Sequence, residues 1–285
     1  MIAGAQTDIF ACGNFSLPLH RPLIMGVINI TPDSFSDGGD HFDCIRAVAR
    51  AKQMISEGAD ILDLGGESSR PGSAPVSLEE ERRRVIPVLE SIVGLGVPVS
   101  VDTNKPELMQ EVLGIGASMI NDISALGNPG AAEAIAATQA GVCLMHMQGE
   151  PDSMQHAPVY SDVVFDVSDF LRERARRLTE LGVHSARIVL DPGFGFGKTH
   201  EHNLQLLRQL STITALGFPV LTGLSRKSLL RRMTGQADAK SRLGSSVAAA
   251  LVAVRNGASI VRVHDVAETR DALLVWQTVV GPTVI

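Results

Sequence analysis

The sequence predicts an α/β protein built as a closed barrel of eight parallel strands, each followed by a helix. Eight short apolar segments alternate with longer amphipathic segments along the 285 residues. The short segments are apolar throughout rather than alternating, as in parallel strands that are covered on both faces. Eight strand–helix units with no second domain favour a (β/α)8 or TIM barrel over the main alternative, a doubly wound open sheet.

The predicted strands are the eight short apolar segments. They are Leu23–Ile28, Ile61–Leu64, Val97–Val101, Met119–Ile120, Val142–Met145, Ile188–Leu190, Val220–Leu221 and Ile260–Val263. The helices are expected between them, and Ser77-Leu78-Glu79-Glu80 fits a capping box at the start of the second. The other predicted helices are Asp43–Glu57, Lys105–Leu113, Ala131–Ala140, Asp162–Leu181, Asn203–Leu210, Gly244–Asn256 and Val266–Val279.

A short hairpin is predicted ahead of the first strand. Ile9–Phe10 and Phe15–Leu17 would pair around Cys12-Gly13-Asn14. We expect this extension, within residues 1–20, to close the N-terminal end of the barrel. Residues 1–285 then form one domain.

The composition of the chain indicates which classes of partner and which compartment to expect. The net charge of −6 and a pI of about 5.7 argue against general binding to nucleic acid or to an anionic membrane. The three cysteines form no CxxC pair, so neither a disulfide framework nor a zinc site is indicated, and a reducing compartment is expected. Because the N-terminus lacks a signal pattern and no segment has about 18 consecutive apolar residues, we predict a cytoplasmic protein.

Polar residues follow the predicted strands at the end where barrel enzymes carry their active sites. Asp102, Asn121 and Asp191 follow three different strands and would project into one pocket. Two carboxylates and an amide suit a flat ligand rich in N–H donors, such as a guanidine-like heterocycle edge. Lys227 would balance the carboxylates and donate to a ring carbonyl.

A second group of strand-end residues is cationic. Arg70, Arg262 and His264 would form a compact set suited to an anionic group, and bidentate arginine contacts favour phosphate. The sequence therefore predicts an anion site beside the heterocycle pocket.

Each of these residues also has a purely structural interpretation. Asp102 could be a helix N-cap, Asn121 could satisfy loop backbone, and Asp191 before Pro192 could be a turn residue. Arg262 and His264 could be solvated rim residues. Taken together, the residues favour a functional site over these structural interpretations, because they recur at corresponding ends of different strands.

Two further segments resemble functional motifs without matching them. Gly197-Lys198-Thr199 is similar to the end of a phosphate-binding P-loop, but Pro192 stands where that loop requires glycine. Met145-His146-Met147 is interpreted as packing with a histidine at the barrel rim rather than as a metal site.

Long motifs in the correct order and spacing carry a family resemblance. Met25 to Gly39 (MGVINITPDSFSDGG) and Asp63 to Gly72 (DLGGESSRPG) resemble two signatures of the dihydropteroate synthases. Six shorter segments match as well, and the resemblance covers the chain from about residue 22 onwards. They are Val101-Asp102-Thr103, Ile120-Asn121-Asp122, Leu144 to Met147, Leu190 to Lys198, Ser225 to Ser228 and Arg262 to Asp265.

The resemblance implies a (β/α)8 fold, a homodimer and a Mg2+-assisted condensation of a pterin diphosphate with 4-aminobenzoate. Diphosphate would leave first, giving a pterin-methyl cation that the amine attacks. An apolar helical face at Ser246–Val254 suggests a dimer contact. Ser69 stands where many members have threonine, and it keeps the hydroxyl.

The resemblance also implies the site residues. The pterin would be bound by Asp102, Asn121, Met145, Asp191 and Lys227. Asn29 would bind Mg2+ and, with Ser69, Arg70, Arg262 and His264, hold the diphosphate. Phe35, Pro71, Phe196 and Ser228 would surround 4-aminobenzoate. The expected catalytic residues are Asp37, Lys227, Arg262 and His264.

Three alternative functions stay open on sequence grounds. A methyltetrahydrofolate methyltransferase barrel would share the pterin pocket but would not need the anion site. A non-catalytic paralogue would keep the pocket without turnover. A phosphosugar barrel enzyme would bind phosphate near strands seven and eight, but the two carboxylates suit a sugar less well.

Overall fold

The computed structural model describes residues 8–30, 39–68 and 72–280. Its strands are β1 (Ile9–Cys12), β2 (Phe15–Pro18), β3 (Leu23–Asn29), β4 (Ile61–Gly65), β5 (Val99–Asp102), β6 (Met119–Asp122), β7 (Gly141–Met145), β8 (Ile188–Asp191), β9 (Leu221–Thr222) and β10 (Ile260–Val263). The eight predicted strands are confirmed as β3 to β10, and the predicted hairpin is confirmed as β1 and β2.

Strands β3 to β10 form one parallel sheet that curves into a barrel. The strands run side by side in the order β8-β7-β6-β5-β4-β3-β10-β9. A parallel bridge between Leu190 and Val220 joins the two ends of this order, and the Leu190 amide donates to the Pro219 carbonyl at 2.9 Å. The closed-barrel prediction is therefore confirmed over the doubly wound sheet.

Helices follow the strands around the outside. They are α1 (Gly39–Glu57), α2 (Leu78–Ile92), α3 (Pro106–Ile115), α4 (Ala131–Ala136), α5 (Val163–Glu180), α6 (His200–Arg208), α7 (Leu210–Thr214), α8 (Ser228–Thr234), α9 (Leu243–Arg255) and α10 (Val266–Val280). Single 3-10 turns precede β8 and α9 at Ser185–Arg187 and Lys240–Arg242. The Ser77 hydroxyl accepts from the Glu80 amide, as the capping motif predicted.

Helices α4 and α6 differ from their predicted bounds for local reasons, and α1 begins at Gly39, four residues before its predicted start at Asp43. Helix α4 stops early because the Thr138 hydroxyl donates to the Ile135 carbonyl and accepts from the Ala140 amide, which ends the helical ladder. Helix α6 starts earlier than predicted because Thr199 caps it reciprocally with His202. The sequence signal was missed since histidine replaces the usual Glu or Gln of that motif.

The hairpin closes the N-terminal end of the barrel, as expected. Phe10 and Cys12 are fully buried against the inner residues of the strands, and the Gly13 amide donates to the Gln139 carbonyl at 2.9 Å. A methyl group on Gly141 would lie 2.7 Å from both Phe10 Cζ and Cys12 Cβ. Only glycine fits at the start of β7 beneath this plug.

Two features bear on partners. Among the helices in the described part of the chain, none combines the length and apolar character that a bilayer crossing requires. Ala249, Ala250, Ala253 and Val254, which belong to the apolar α9 segment that suggested a dimer contact, are buried in the chain's own core. Val252 is the large apolar side chain of α9 that is exposed.

Candidate functional site

The predicted pocket residues meet at the C-terminal mouth of the barrel. Sheet register places Asp102 directly beside Asn121, and Met145 directly beside Asp191. Asn29 ends β3 beside Gly65, which itself pairs with Asp102. The strand ends therefore bring these inward-facing residues together as the sequence predicted.

Arg262 lies among the carboxylates. Its Nε donates to Asp63 Oδ2 at 2.6 Å, and its Nη2 donates to Asp102 Oδ2 at 2.9 Å. Burial lowers the pKa of this guanidinium, but the charges of Asp63 and Asp102 outweigh burial and raise it. Arg262 is therefore a permanent cation at the junction between the heterocycle pocket and the predicted anion site.

Asp63 is a site residue that the sequence reasoning missed. Its side chain is fully buried, and Oδ2 also accepts from Asn121 Nδ2 at 3.3 Å. Its other oxygen, Oδ1, has no hydrogen-bond partner among the described residues. The available signal was a carboxylate two residues before the end of an otherwise apolar strand, which alternation places inside the barrel with Ile61 and Gly65.

Asp102 and Asp191 differ in whether they have a structural role in the adjoining loop. The residue that caps α3 is Lys105, so Asp102 is not the N-cap. Asp191 does serve its turn, because Oδ1 accepts from the Gly193 amide at 2.7 Å, while it also faces Lys227 and Arg262 electrostatically. Burial raises the pKa of Asp191 and raises that of Asp102 to about 7, against the opposing charges of Lys227 and Arg262 respectively.

Lys227 reaches the same pocket from the loop after β9. Its ammonium donates to the Phe194 carbonyl and lies 4.6 Å from the centre of the Phe196 ring, within cation–π range. Burial lowers the pKa of Lys227 to about 8, and the Asp191 charge opposes that shift. Near neutral pH it is a cation able to donate to a ring carbonyl.

The loop between β9 and α8 also fixes the predicted anion-site histidine. Ser225 Oγ lies 3.0 Å from His264 Nδ1 and accepts from the His264 amide at 3.3 Å. Arg226 adopts a left-handed φ of 61°, held by an ion pair with Asp265 and by donation from its amide to Ser246 Oγ at 3.0 Å. These contacts of Arg226 therefore fix the backbone turn that separates Ser225 from Lys227.

Several predicted residues lie outside the described residues. They are Phe35, Asp37, Ser69, Arg70 and Pro71. Of the predicted 4-aminobenzoate residues, Phe196 lies against Lys227, and Ser228 follows Lys227 as the first residue of α8. Both therefore lie on the Lys227 side of the mouth.

One histidine differs from its sequence interpretation. His146 is buried rather than a rim residue, because the loop after β8 covers it. Its Nδ1 lies 2.9 Å from Nζ of the buried Lys198. The sequence offered no signal for this pair, since the two residues lie in different strand–helix units.

Asn29 fits the chemistry of the expected Mg2+ ligand. Its amide oxygen is half-buried at the end of β3, and Gly65 leaves space beside it, where a methyl group would lie 3.7 Å from Oδ1. Mg2+ commonly takes one or two protein oxygens together with substrate phosphates and water. Among the described residues, no group of three or more His, Cys, Asp or Glu could hold a metal ion.

The mouth defines the class of protein. Paired carboxylates, an amide and a lysine around one pocket suit a flat heterocycle rich in N–H donors. The family model described as "Pterin binding enzyme" matches residues 25–264. A dihydropteroate synthase from Neisseria meningitidis serogroup C is 50% identical over 273 residues, which cover 94% of this chain and 96% of that protein.

Solved structures agree with this assignment. A Xanthomonas albilineans dihydropteroate synthase with 4-aminobenzoic acid has a TM-score of 0.91 and 49% identity, covering 96% of this chain and 99% of that one. A Burkholderia cenocepacia dihydropteroate synthase complexed with 7,8-dihydropteroate has a TM-score of 0.88 and 47% identity, covering 98% of both chains. The chain belongs to the dihydropteroate synthase family, which confirms the resemblance carried by its motifs.

Proposed function

We propose that this chain condenses 6-hydroxymethyl-7,8-dihydropterin diphosphate with 4-aminobenzoate, giving 7,8-dihydropteroate and diphosphate. The observation that carries the proposal is the joint position of Asp102, Asp191 and Arg262 in one barrel mouth. The carboxylates suit the donor edge of a pterin, and the guanidinium suits a departing polyphosphate. Membership of the family and the ligands of the solved relatives support it.

The pterin is proposed to lie among Asp102, Asn121, Asp191 and Lys227, with Met145 against its ring. The carboxylates and the Asn121 amide would pair with the polar edge of the heterocycle, and the Lys227 ammonium would donate to its carbonyl. Each contact replaces water in a buried site, where an unmet polar group is costly. This pairing selects a pterin over a sugar.

Charge distribution supports a dissociative reaction. The bond between the pterin methylene carbon and the bridging oxygen breaks, and diphosphate leaves with the electron pair. Arg262 and His264, with Ser69 and Arg70, would stabilise the negative charge that develops on the leaving group. Asp102 and Asp191 would favour the pterin-methyl cation, and Asp37 would face it from the first loop.

The amine completes the exchange. Its nitrogen attacks the methylene carbon, forms the carbon–nitrogen bond and gives up a proton to water, so no covalent enzyme intermediate is needed. Phe35, Pro71, Phe196 and Ser228 are proposed to surround 4-aminobenzoate, with its carboxylate near the start of the helix that follows Lys227. Because diphosphate leaves before the amine attacks, the site must stabilise charge on the leaving group more strongly than on the amine.

A Mg2+ ion is proposed at Asn29. When bound, it would neutralise negative charge on the diphosphate and orient it. The fit of the site stands on the half-buried Asn29 side chain, whose amide oxygen has space beside Gly65. Asn29 would hold the ion at the end of β3, and Arg262 would supply a second positive charge to the diphosphate.

An assay of diphosphate release tests the proposed function. Incubation with the pterin diphosphate, 4-aminobenzoate and Mg2+ should release diphosphate only when the amine is present, with 7,8-dihydropteroate detected by mass spectrometry. A non-catalytic paralogue would bind the pterin without release, and a methyltransferase-type barrel would not need the diphosphate. Diphosphate release at the same rate with and without 4-aminobenzoate would contradict the proposal.

We also propose a homodimer. Exposed apolar side chains lie toward the end of α10 at Leu274, Val275, Val279 and Val280, in addition to Val252 on the α9 segment suggested by the sequence. A patch of this kind on a folded surface suits association between copies of the chain. Sedimentation equilibrium should give the mass of two chains, and V275E/V279E should give the mass of one. A wild-type mass of one chain would contradict the proposal.

A further inference from the structure

Lys198 is turned into the protein. It belongs to the Gly197-Lys198-Thr199 segment that resembles the end of a P-loop, yet the residue is only 2% exposed. Its Nζ donates to the carbonyls of Phe196 at 2.9 Å and His146 at 3.2 Å, and lies 2.9 Å from His146 Nδ1. A buried lysine with three partners does not serve a solvent-exposed phosphate.

Burial shifts the pKa of both members of this pair toward their neutral forms. Burial, and then the charge of Lys198, lower the pKa of His146 to about 3, so its imidazole is neutral at pH 7. A neutral ring can accept at Nδ1 while carrying its proton on Nε2. Burial lowers the pKa of Lys198 well below its usual range, and the charge of Asp191 opposes this. As an ammonium, Lys198 has three donors for three acceptors.

The loop after β8 presses directly on the backbone that follows β7. A methyl group on Gly193 would lie 1.9 Å from the His146 carbonyl, and one on Gly197 would lie 2.2 Å from the Gln148 carbonyl. Both glycines have positive φ, at 67° and 58°. Backbones in such close contact bury carbonyl groups, and Lys198 donates to one of these two, that of His146, and to the Phe196 carbonyl within the loop.

The same loop carries both contacts of Lys227. The Phe194 carbonyl accepts from the Lys227 ammonium, and the Phe196 ring lies 4.6 Å from it. Lys198 donates to the Phe196 carbonyl and so connects this part of the loop to the end of β7. Lys198 and the Lys227 ammonium therefore contact the same short segment of the loop.

We propose that Lys198 is a positioning residue, which fastens the β8–α6 loop to the end of β7 so that the loop holds Lys227 in place for the pterin. The inference rests on the proposed function, because it assumes that Lys227 donates to the pterin ring. It assigns the Gly-Lys-Thr segment to the geometry of the pocket rather than to phosphate binding.

The sign of a pH shift separates positioning from simple electrostatics. Asp191, Asp102 and Arg262 all face Lys227, whose pKa is about 8. Pterin binding should therefore weaken as pH rises through that value, because Lys227 loses the proton it donates. Loss of a neighbouring positive charge alone would raise the pKa of Lys227. Loss of the Phe194 and Phe196 contacts, which favour the ammonium, would lower it.

The test compares Lys198→Met with the wild-type protein by calorimetry. The probe is 6-hydroxymethyl-7,8-dihydropterin, which lacks diphosphate, titrated across pH 6 to pH 10. We expect the affinity at neutral pH to fall about tenfold, as for the loss of a hydrogen bond to a charged group. The alkaline decline should move below pH 8. In turnover, KM for the pterin diphosphate should rise while kcat changes little.

Arg187→Met is the matched control. Arg187 is also a buried cation that donates to two carbonyls, those of Ala140 and Ile135, but at the opposite end of β8. It should lower Tm without moving the alkaline decline. An unchanged or upward shift in Lys198→Met would overturn the proposal.

A second variant covers a folding failure. Lys198→Gln keeps an amide with two donors instead of three, so the same downward shift is expected if the methionine variant does not fold. Binding of the pterin alcohol needs no turnover. A wild-type protein that binds it but forms no dihydropteroate would refute the proposed reaction and still report on Lys198.

Discussion

Replacement of Arg262 by alanine is expected to lower kcat by roughly 100- to 1000-fold, the range seen when one donor to a developing negative charge is removed. Arg262 is the described cation that contacts both Asp63 and Asp102 and also faces the proposed diphosphate. Its loss removes charge stabilisation from the departing group. Steady-state kinetics with both substrates at saturation measures the effect, and near-wild-type turnover would refute the diphosphate assignment.

The same change should lower stability, so folding must be separated from catalysis. It leaves the buried Asp63 carboxylate without its cation, and breaking a buried pair costs about 3–5 kcal/mol. Adding Asp63→Asn removes the unpaired charge, so D63N/R262A should regain Tm without regaining turnover. Arg21→Ala is the matched control, because it breaks an arginine–aspartate pair with Asp60 at the other end of the barrel. It should leave kcat unchanged.

Asp191→Asn is expected to weaken pterin binding by roughly 10- to 100-fold, as for a lost hydrogen bond to a charged group. An asparagine at this position can still accept from the Gly193 amide, so the turn should survive while the charge is lost. The pKa of Lys227 should fall as well, because the Asp191 charge now supports its ammonium. Calorimetric titration with the pterin alcohol gives the affinity.

Asp122→Asn provides the comparison for Asp191. Asp122 is also a buried carboxylate at a strand end, but its two oxygens accept from the backbone amides of Ser124 and Leu126. Its replacement should lower Tm and leave the pterin affinity in place. Equal affinities for the wild type and the Asp191 variant would remove Asp191 from the pterin pocket.

The sequence was sufficient for the barrel and for the residues at strand ends. Apolar runs specify parallel strands, and the polar residue that follows each run must lie at the mouth, which located Asp102, Asn121 and Asp191. Asp63 was not identified because it lies within an apolar strand, where only the alternation of side chains between the two faces shows that it points into the barrel. The family comparison strengthened the assignment of function, which the residues alone had left open between several barrel enzymes.

Contacts between distant units could not be derived in the same way. The pairing of Lys198 with His146 joins residues that are 52 positions apart, and nothing in the local pattern of either marks the other. The ion pairs of Arg262 span 199 and 160 positions. Such contacts depend on how the loops fold over the strand ends, which periodicity does not encode.

The hairpin at residues 9–18 has a consequence for the traffic of ligands. With Phe10 and Cys12 filling the floor, the barrel is a blind cup rather than a tunnel. Whatever enters over the rim must go back out over it, so the two products share a single exit with the incoming substrates. Any molecule that dissociates slowly from that opening would therefore slow turnover.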